Sequence, residues 1–245
     1  LVGNGAYLVY TNVATIATDA RPAFLAMDPP QQIAGQVNLE TAAMLYIIPH
    51  SVIALSLATV LFNRMSHAYV ERNLDAVRAT ISRGLRVIGV ATVFCAAVMV
   101  VLAGPIGMWF GGGSNASAAI QGQVLVLLAV SSPFLSATFL MNRAFYANED
   151  AKTPMIMQVI LAVLGIGLAL GAAALPADRI VYGLAIAYSI GNIAAVVLSH
   201  VFLTRKLGSY GAGHIFDVHV RLTVAALVSA AAGAAGLALL GGYSA

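Results

Sequence analysis

Charge and cysteine are both scarce in this sequence, and each shortage excludes a class of protein. Only 9% of the 245 residues are charged, whereas 60% are hydrophobic and the mean hydropathy is +0.91. Because so little polar surface cannot cover a globule of this length in water, a soluble domain is excluded. The single cysteine, Cys95, excludes an internal disulfide and a cysteine metal cluster.

Motifs of catalysis are also absent from the sequence. It has no HExxH, no GxSxG and no Gly-x4-Gly-Lys pattern. The glycine run GGGSN at 111–115 follows an apolar run and lacks the strand-loop-helix context of a nucleotide site. We therefore predict a function other than that of an enzyme, with no catalytic residues, no metal site and no cofactor.

What the sequence does contain is a series of apolar runs of about 20 residues, the length that a helix needs to cross the hydrocarbon core. The runs lack the alternation of barrel strands, and a backbone in lipid must satisfy its own hydrogen bonds, so helices are predicted. We predict an all-α, polytopic transmembrane bundle of about seven spans, at residues 1–18, 42–62, 85–110, 121–141, 155–175, 180–203 and 219–240.

The start of the chain predicts a fragment. It begins with Leu1, and neither a basic region nor a small-residue cleavage site precedes the first run, which is therefore not a signal peptide. We expect a longer protein whose amino-terminal part is missing here.

The distribution of basic residues predicts the orientation in the membrane. Ten of the twelve Lys and Arg residues lie in or beside loops 63–84, 142–154 and 204–218, and the other two, Arg21 and Arg179, lie in loops on the opposite side. The positive-inside rule places the three basic loops in the cytoplasm. A basic surface beside anionic lipid accounts for the net charge of +3, so no nucleic-acid partner is predicted.

Two connecting segments carry further signals. Apolar residues from Val70 to Leu85 recur at helical spacing opposite charged residues, which predicts an amphipathic helix over 66–84 on the cytoplasmic interface. Such a helix is either an anchor between two spans or a docking site for a regulator. Residues 19–41, rich in proline, are predicted to form an irregular loop with at most one short helix.

Polar residues within the spans are few, and each is a candidate for function because it is costly in lipid. Asn12, Thr15, His50 and Asn192 are candidates to face a polar cavity or a cation, and the alternative for each is a packing role, such as a hydrogen bond between helices. No acidic residue lies deep in a span, which argues against a self-contained proton relay.

Prolines and small residues predict how the spans bend and pack. Pro49 and Pro133 lie inside predicted spans and should bend their helices, either as hinges of a carrier or as static kinks. Gly167-x-x-x-Gly171, and Ser229 with Gly233, form small-xxx-small patterns that predict close approach of helices.

The most distinctive stretch, MNRAFYANEDAKTPM at 141–155, lies between the fourth and fifth predicted spans. Its pattern R-x-F-Y-A-x-x-D-x-K-T-P resembles the signature loop of the MviN/MurJ family of lipid II flippases. The residues that carry this resemblance are Arg143, Phe145, Tyr146, Asp150, Lys152, Thr153 and Pro154. The stretch LYIIPHSVIALSLATVLF at 45–62 is similar to the family's eighth span, and RGLR at 83–86 fits the same register.

The resemblance covers most of the chain and implies a fold and a function. Residues 1–206 would form the carboxy-terminal lobe of a two-lobe transporter, about six spans, and 207–245 would begin a trailing pair of helices. The protein would move undecaprenyl-linked peptidoglycan precursor from the inner to the outer leaflet of the bacterial inner membrane by alternating access. A coupling cation or the membrane potential would drive it. Its partners would be the precursor, membrane lipids and the missing amino-terminal lobe.

The resemblance also implies where binding residues lie. The family's phosphate-binding arginines are largely in the amino-terminal lobe. Before Pro49, where many members carry a basic residue and a polar or acidic residue, this chain has Met44 and Ile47. We interpret the signature loop as structural: Asp150 can cap the next helix, Thr153 and Pro154 can begin it, and the aromatic pair Phe145 and Tyr146 can lie at the interface.

Other functions stay open on the residues alone. One is a polysaccharide-repeat flippase or a drug-cation antiporter of the same superfamily, and the latter should carry an acidic residue deep in a span. Another is a membrane scaffold without transport activity, which would need no water-filled cavity.

Overall fold

A computed structural model describes residues 2–112 and 114–239, and every regular element in these residues is helical, as predicted. A π-helical segment, His50–Ala54, joins the second helix to the third. The ten α-helices, in chain order, are α1 Val2–Leu25, α2 Gln36–Pro49, α3 Leu55–Val70, α4 Leu74–Val101, α5 Ala103–Phe110, α6 Asn115–Ala129, α7 Ser132–Ala147, α8 Lys152–Ala173, α9 Ala177–Leu207 and α10 Ala212–Leu239.

Six of the described helical stretches are long and apolar enough to cross a membrane. Two are composite, because α2, the π segment and α3 run on as Gln36–Val70, and α6 and α7 run on as Asn115–Ala147. Helix α1 is 24 residues long but is not among the six, and its sequence includes the polar or charged residues Asn12, Asp19 and Arg21. The predicted number of about seven spans is close to this result.

The predicted loop over 19–41 is wrong at both ends. Helix α1 continues to Leu25 with Pro22 inside it, and α2 already begins at Gln36, so the connection is only residues 26–35. Thr18 explains part of the difference, because its hydroxyl accepts a hydrogen bond from the Gln36 backbone N–H at 2.9 Å and so joins the two helices.

The three basic connections meet at one end of the bundle, which we call the charged-loop end: turns 71–73, 148–151 and 208–211. Lys206 at the end of α9 pairs with Asp150 before α8 at 2.6 Å, and Arg78 Nε near the start of α4 donates to the Leu207 carbonyl at 2.6 Å. At the opposite end, Asn38 donates to Gln121 at 3.0 Å. The loops that share basic charge therefore also share a side.

Residues 66–84 do not form the single amphipathic helix that periodicity predicts. Helix α3 ends at Val70, Arg72 takes a left-handed conformation with φ of 56°, and Asn73 begins α4 by accepting from the Ala76 N–H at 3.0 Å. The apolar stripe of the α4 part, Val77 and Ile81, is fully buried. The segment is a tight helical hairpin. Periodicity did not reveal it, because a three-residue turn leaves the spacing of the apolar residues almost unchanged.

The two prolines occupy different settings. Pro49 ends α2 immediately before the π segment, where the backbone hydrogen-bond pattern changes. Pro133 lies within the candidate span Asn115–Ala147 but in the first turn of α7, after a break at 130–131 where Ser131 caps through its backbone. A first-turn proline has no N–H bond to lose, so it fits this position.

Glycines permit backbone contact between α5 and α6. A Cβ on Gly107 would collide with the Ala118 carbonyl oxygen, and one on Gly122 would lie 2.7 Å from the Ala103 carbonyl oxygen. Of the two predicted small-xxx-small patterns, Ser229 with Gly233 meets another helix, since a Cβ on Gly233 would lie 3.2 Å from Val101 on α4. In contrast, Gly167 and Gly171 face open space, so the pattern Gly167-x-x-x-Gly171 is not a helix contact in this lobe.

The bundle has two buried apolar clusters. The first joins α1, α2, α6, α8 and α9, and the second, around Phe145, joins the π segment, α3, α4, α7 and the end of α9 at the charged-loop end. Helix α10 packs mainly along α4, and only 6% of the most apolar stretch of this helix is buried inside the bundle.

Candidate functional site

The signature loop is held by hydrogen bonds that converge on Asp150. Its Oδ1 accepts from the Thr153 backbone N–H at 2.9 Å, and its Oδ2 accepts from the Thr153 hydroxyl and from Lys206 Nζ, both at 2.6 Å. Burial raises the pKa of the Asp150 carboxyl, but the hydrogen bonds from Lys206 and Thr153 outweigh it and lower the pKa from 3.8 to about 2. Asp150 therefore joins the start of α8 to the end of α9 as an anion.

The other signature residues separate into buried and exposed sets. Phe145 is 1% exposed in the second cluster, so the prediction that it lies at the interface is wrong; Tyr146 is exposed. Pro154 is buried in the first turn of α8, and Lys152 is exposed. The Arg143 guanidinium lies over the Phe139 ring at 4.7 Å.

A polar cavity of about 320 Å³ lies between α1, α7, α8 and α9. The lining residues fall within 6–10 on α1, 135–142 on α7, 154–165 on α8 and 187–195 on α9, so the cavity lies beside the first half of α8 and the middle of α7 and α9. Helix α1 packs on α8 and α9, whereas α3, which contributes no lining residue, packs on α4 and α7.

Neutral polar residues from all four helices line this cavity, with Gln158 on α8. Tyr10 and Tyr188 lie with their ring centroids 4.5 Å apart, and the lining also includes Thr138 and Asn142 on one side of α7. The Thr138 hydroxyl and the Asn142 amide oxygen are buried and have no hydrogen-bond partner within the described part of the chain. Buried polar groups normally have partners, so these two are unsatisfied polar groups beside the cavity.

The predicted polar residues do not come together at one point. Asn192 lines the cavity, but its amide also donates to the Ser131 hydroxyl at 3.0 Å, at the break between α6 and α7. His50 is buried elsewhere: its Nδ1 lies 3.2 Å from the Ser136 hydroxyl, and its ring meets the Phe139 ring edge-on at 5.1 Å. Asn192 therefore both lines the cavity and hydrogen-bonds to another part of the bundle, which were the two alternatives predicted for it.

The two candidates on α1 differ in exposure. Asn12 is exposed on the helix, and Thr15 is half-buried with its hydroxyl donating to the Asn12 carbonyl at 2.7 Å. Neither residue is among those that line the cavity.

Sequence reasoning missed Thr138 and Asn142. Asn142 was assigned to the loop 142–154, whereas α7 continues to Ala147 and keeps it on the helix. The signal was the spacing of four residues, which puts both side chains on one helix face. The cavity tyrosines were missed because no sequence pattern distinguishes an aromatic residue that lines a cavity from one that packs in the core.

The chemistry that this site allows follows from its lack of charge. None of the described residues that line the cavity is acidic or basic, and no three His, Cys, Asp or Glu side chains in the described ranges cluster as metal ligands. Such a surface can hydrogen-bond a polar group, but it offers no charge to a phosphate or a cation.

Six apolar helical stretches, a neutral cavity with polar lining residues and charged turns gathered at one end define a multi-pass helical membrane protein. Residues 22–241 match the family model described as Lipid II flippase MurJ, and the chain belongs to that family.

Two relatives agree with this membership. A protein of Rhizobium meliloti (strain 1021), named probable lipid II flippase MurJ, is 28% identical over 136 residues, which are 54% of this chain and 25% of that protein. A solved structure of lipid II flippase MurJ in an inward closed conformation matches the fold with a TM-score of 0.66 at 17% identity, over 92% of this chain and 44% of that one. The chain therefore spans less than half the length of either protein.

Proposed function

We propose that this chain is the carboxy-terminal lobe of a flippase that moves undecaprenyl-linked peptidoglycan precursor from the inner to the outer leaflet by alternating access. The observation that carries the proposal is the match of residues 22–241 to the lipid II flippase family. The shares of 25% and 44% of the two relatives support a second lobe in the full-length protein.

The physical need for two lobes comes from the cargo. A diphosphate with a sugar-peptide headgroup cannot cross hydrocarbon unaided, so a carrier must give it a polar path while the polyprenyl tail stays in lipid. The cavity with Thr138 and Asn142 supplies a neutral wall for such a path. Because the lining carries no cation, the charge that binds the diphosphate comes from the other lobe in this proposal.

The orientation belongs to the same proposal. The charged-loop end lies in the cytoplasm, in a bacterial inner membrane, because ten of the twelve basic residues lie in or beside its three loops. A coupling cation or the membrane potential drives the cycle. Helix bending occurs at Pro49 with the π segment, and at Pro133 where α6 meets α7, since both are interruptions of an otherwise continuous stretch.

The test is rescue of a bacterium depleted of its own flippase, with outer-leaflet precursor measured directly. We expect the full-length protein to rescue growth and restore the precursor, and residues 1–245 alone to be inactive. Thr138→Val with Asn142→Leu in the full-length protein should lower transport about tenfold, as expected when two hydrogen bonds to a passing polar group are lost.

The matched control is Val159→Leu with Val163→Leu, on exposed positions of α8 outside the cavity, which should transport normally. Failure of the full-length protein to restore outer-leaflet precursor at normal expression would contradict the proposal. Rescue by residues 1–245 alone would contradict the need for a second lobe.

A further inference from the structure

A second cavity, a groove of about 510 Å³, lies between α4 and α10. On α4 it is lined from Val90 to Leu102, and on α10 from Leu222 to Gly233. Ser229 supplies the one polar side chain among the described residues that line it. The groove is thus a long apolar slot on the outside of the bundle.

Two close approaches of the helices explain the groove. A side chain at Gly89 would collide with the ring of His219, and a Cβ on Gly233 would lie 3.2 Å from Val101. Between these contacts the α10 side of the groove consists, beyond Leu222, of small side chains, Ala225, Ala226, Ser229 and Ala230. The two helices are thus in contact at both ends of the groove, and the small residues leave the space between these contacts unfilled.

The same contacts show that the groove begins near the charged-loop end. Arg86 Nη1 donates to His214 Nε2 at 3.0 Å, one turn before the Gly89–His219 contact, so α4 and α10 run parallel from that end. Arg83 and Arg86 lie about one to two turns before Val90 on α4, and Arg221 directly precedes Leu222 on α10. The end of the groove nearest the charged-loop end, which we call its mouth, is therefore basic.

The cations at this mouth lack the partners that neighbouring cations have. Arg78 pairs with Asp75, and Lys206 pairs with Asp150, each within 2.7 Å. Within the described ranges, Arg83, Arg86 and Arg221 form no ion pair, and the acid that α10 carries nearby, Asp217, forms none either. These parts of α4 and α10 thus carry three guanidinium groups and one carboxylate, and the side-chain acceptor of Arg86 is an imidazole nitrogen of His214 and not a carboxylate.

We propose that this groove binds an anionic phospholipid of the inner leaflet, with its phosphate at Arg86 and an acyl chain between α4 and α10. A phosphate is a better acceptor for guanidinium than an imidazole, because the bond is charge-assisted and bidentate. The thirteen residues from 90 to 102 rise about 18 Å, close to half of a hydrocarbon core of about 30 Å, which is the depth of one leaflet. The site is independent of the transported cargo.

The test titrates lipids onto the purified full-length protein and counts bound molecules by native mass spectrometry. Phosphatidylglycerol is compared with phosphatidylcholine of the same acyl chains. We expect the triple variant Arg83→Gln, Arg86→Gln and Arg221→Gln to weaken the binding of phosphatidylglycerol at least about tenfold, since basic residues near a membrane attract anionic headgroups, and to leave the binding of phosphatidylcholine unchanged. Ala226→Leu with Ser229→Leu should weaken both lipids by filling the slot.

Two matched controls separate this site from general effects. Arg64→Gln with Arg205→Gln removes two exposed arginines that have no ion pair in the described structure and lie away from the groove. Val224→Leu with Val228→Leu enlarges exposed residues of α10 that do not line it. Both should bind phosphatidylglycerol like the unmodified protein.

Several results would overturn the proposal. They are an unchanged affinity of the triple arginine variant, an equal loss of both lipids in that variant, or displacement of phosphatidylglycerol by one equivalent of undecaprenyl diphosphate, which would assign the groove to the cargo. A photo-crosslinker at Ala226 that captures another segment of the protein instead of lipid would also overturn it. If the triple variant fails to fold, Arg221→Gln alone, at an exposed position, must still weaken phosphatidylglycerol severalfold.

Discussion

At the scale of single residues, Asp150 shows how a charge in a membrane protein can serve the fold. Its carboxylate satisfies a backbone N–H and a hydroxyl at the start of α8 and a lysine at the end of α9. Loss of these bonds would leave the first turn of α8 without its cap and would leave Lys206 unpaired. The signature loop thus has a structural explanation in which its most connected residue joins two helices.

We expect Asp150→Asn to destabilise the lobe by about 1–2 kcal/mol at neutral pH, since a carboxyl whose pKa falls from 3.8 to about 2 on folding stabilises the folded state when ionised. The folded-state pKa is lowered, so this contribution is complete above the unfolded value and is lost as the pH falls from about 4 through 2. The measurement is thermal unfolding in detergent at pH 7 and pH 3, where the difference from the unmodified protein should shrink.

Asp75→Asn is the matched control for this prediction. Asp75 also pairs with a basic residue, Arg78 at 2.7 Å, but its side chain is 89% exposed. Exposed pairs contribute little because solvent screens them, so this variant should unfold like the unmodified protein at both pH values. Equal behaviour of the two variants would rule out a special role of Asp150.

At the scale of elements, helix packing depends on where glycine meets backbone. Helices α5 and α6 approach so closely that Gly107 lies against the Ala118 carbonyl, whereas Gly167 on α8 has open space beside it. Both glycines occur in apolar sequence, and only the packing tells them apart. Small residues in a membrane helix permit contact, and the facing helix decides whether it happens.

We expect Gly107→Ala to destabilise the protein by at least about 2 kcal/mol, because a carbonyl oxygen occupies the place of the new methyl group and backbone cannot move aside cheaply. Gly167→Ala should be neutral or stabilising by up to about 1 kcal/mol, since it removes a flexible residue from a helix without a clash. Thermal unfolding of both variants in one detergent gives the comparison. A Gly167→Ala variant less stable than Gly107→Ala would show that the packing of α5 on α6 is different.

At the scale of the whole molecule, the described loops divide between two ends. The three turns that carry or adjoin most basic residues meet through Arg78, Asp150 and Lys206, and the polar contacts of Gln32, Asn38 and Gln121 lie at the other end. This arrangement requires that the basic turns lie on one side of a membrane, whichever side that is.

We predict that side to be the cytoplasm. In a full-length protein with Cys95→Ala, a cysteine placed at Ala151 should react with a membrane-impermeant maleimide only after the inner face is opened, and a cysteine at Ala116 should react from outside. Both alanines are exposed and lie beside helix starts, so they are matched sites. The reverse labelling pattern would overturn the orientation.

The sequence alone determined the class of fold. Apolar runs of membrane length exclude every alternative to helices except a barrel, and their pattern excludes the barrel. The charged stretch at 141–155 and its resemblance to the MviN/MurJ signature were likewise readable in the residues, and the family match agrees with them. These features are local, because solvent and lipid act on each segment directly.

Only the tertiary structure decided which local signals became contacts. Periodicity over 66–84 predicted one helix, but Arg72 and Asn73 turn the chain so that Val77 and Ile81 pack inside the bundle. The polar cavity depends on Thr138 and Asn142 from α7 meeting Tyr10 and Tyr188 from helices distant in sequence. Helix propensity and hydropathy determine whether a segment forms a membrane helix. Which face of that helix is buried depends on the neighbouring helix that packs there, and the segment's own sequence does not encode that neighbour.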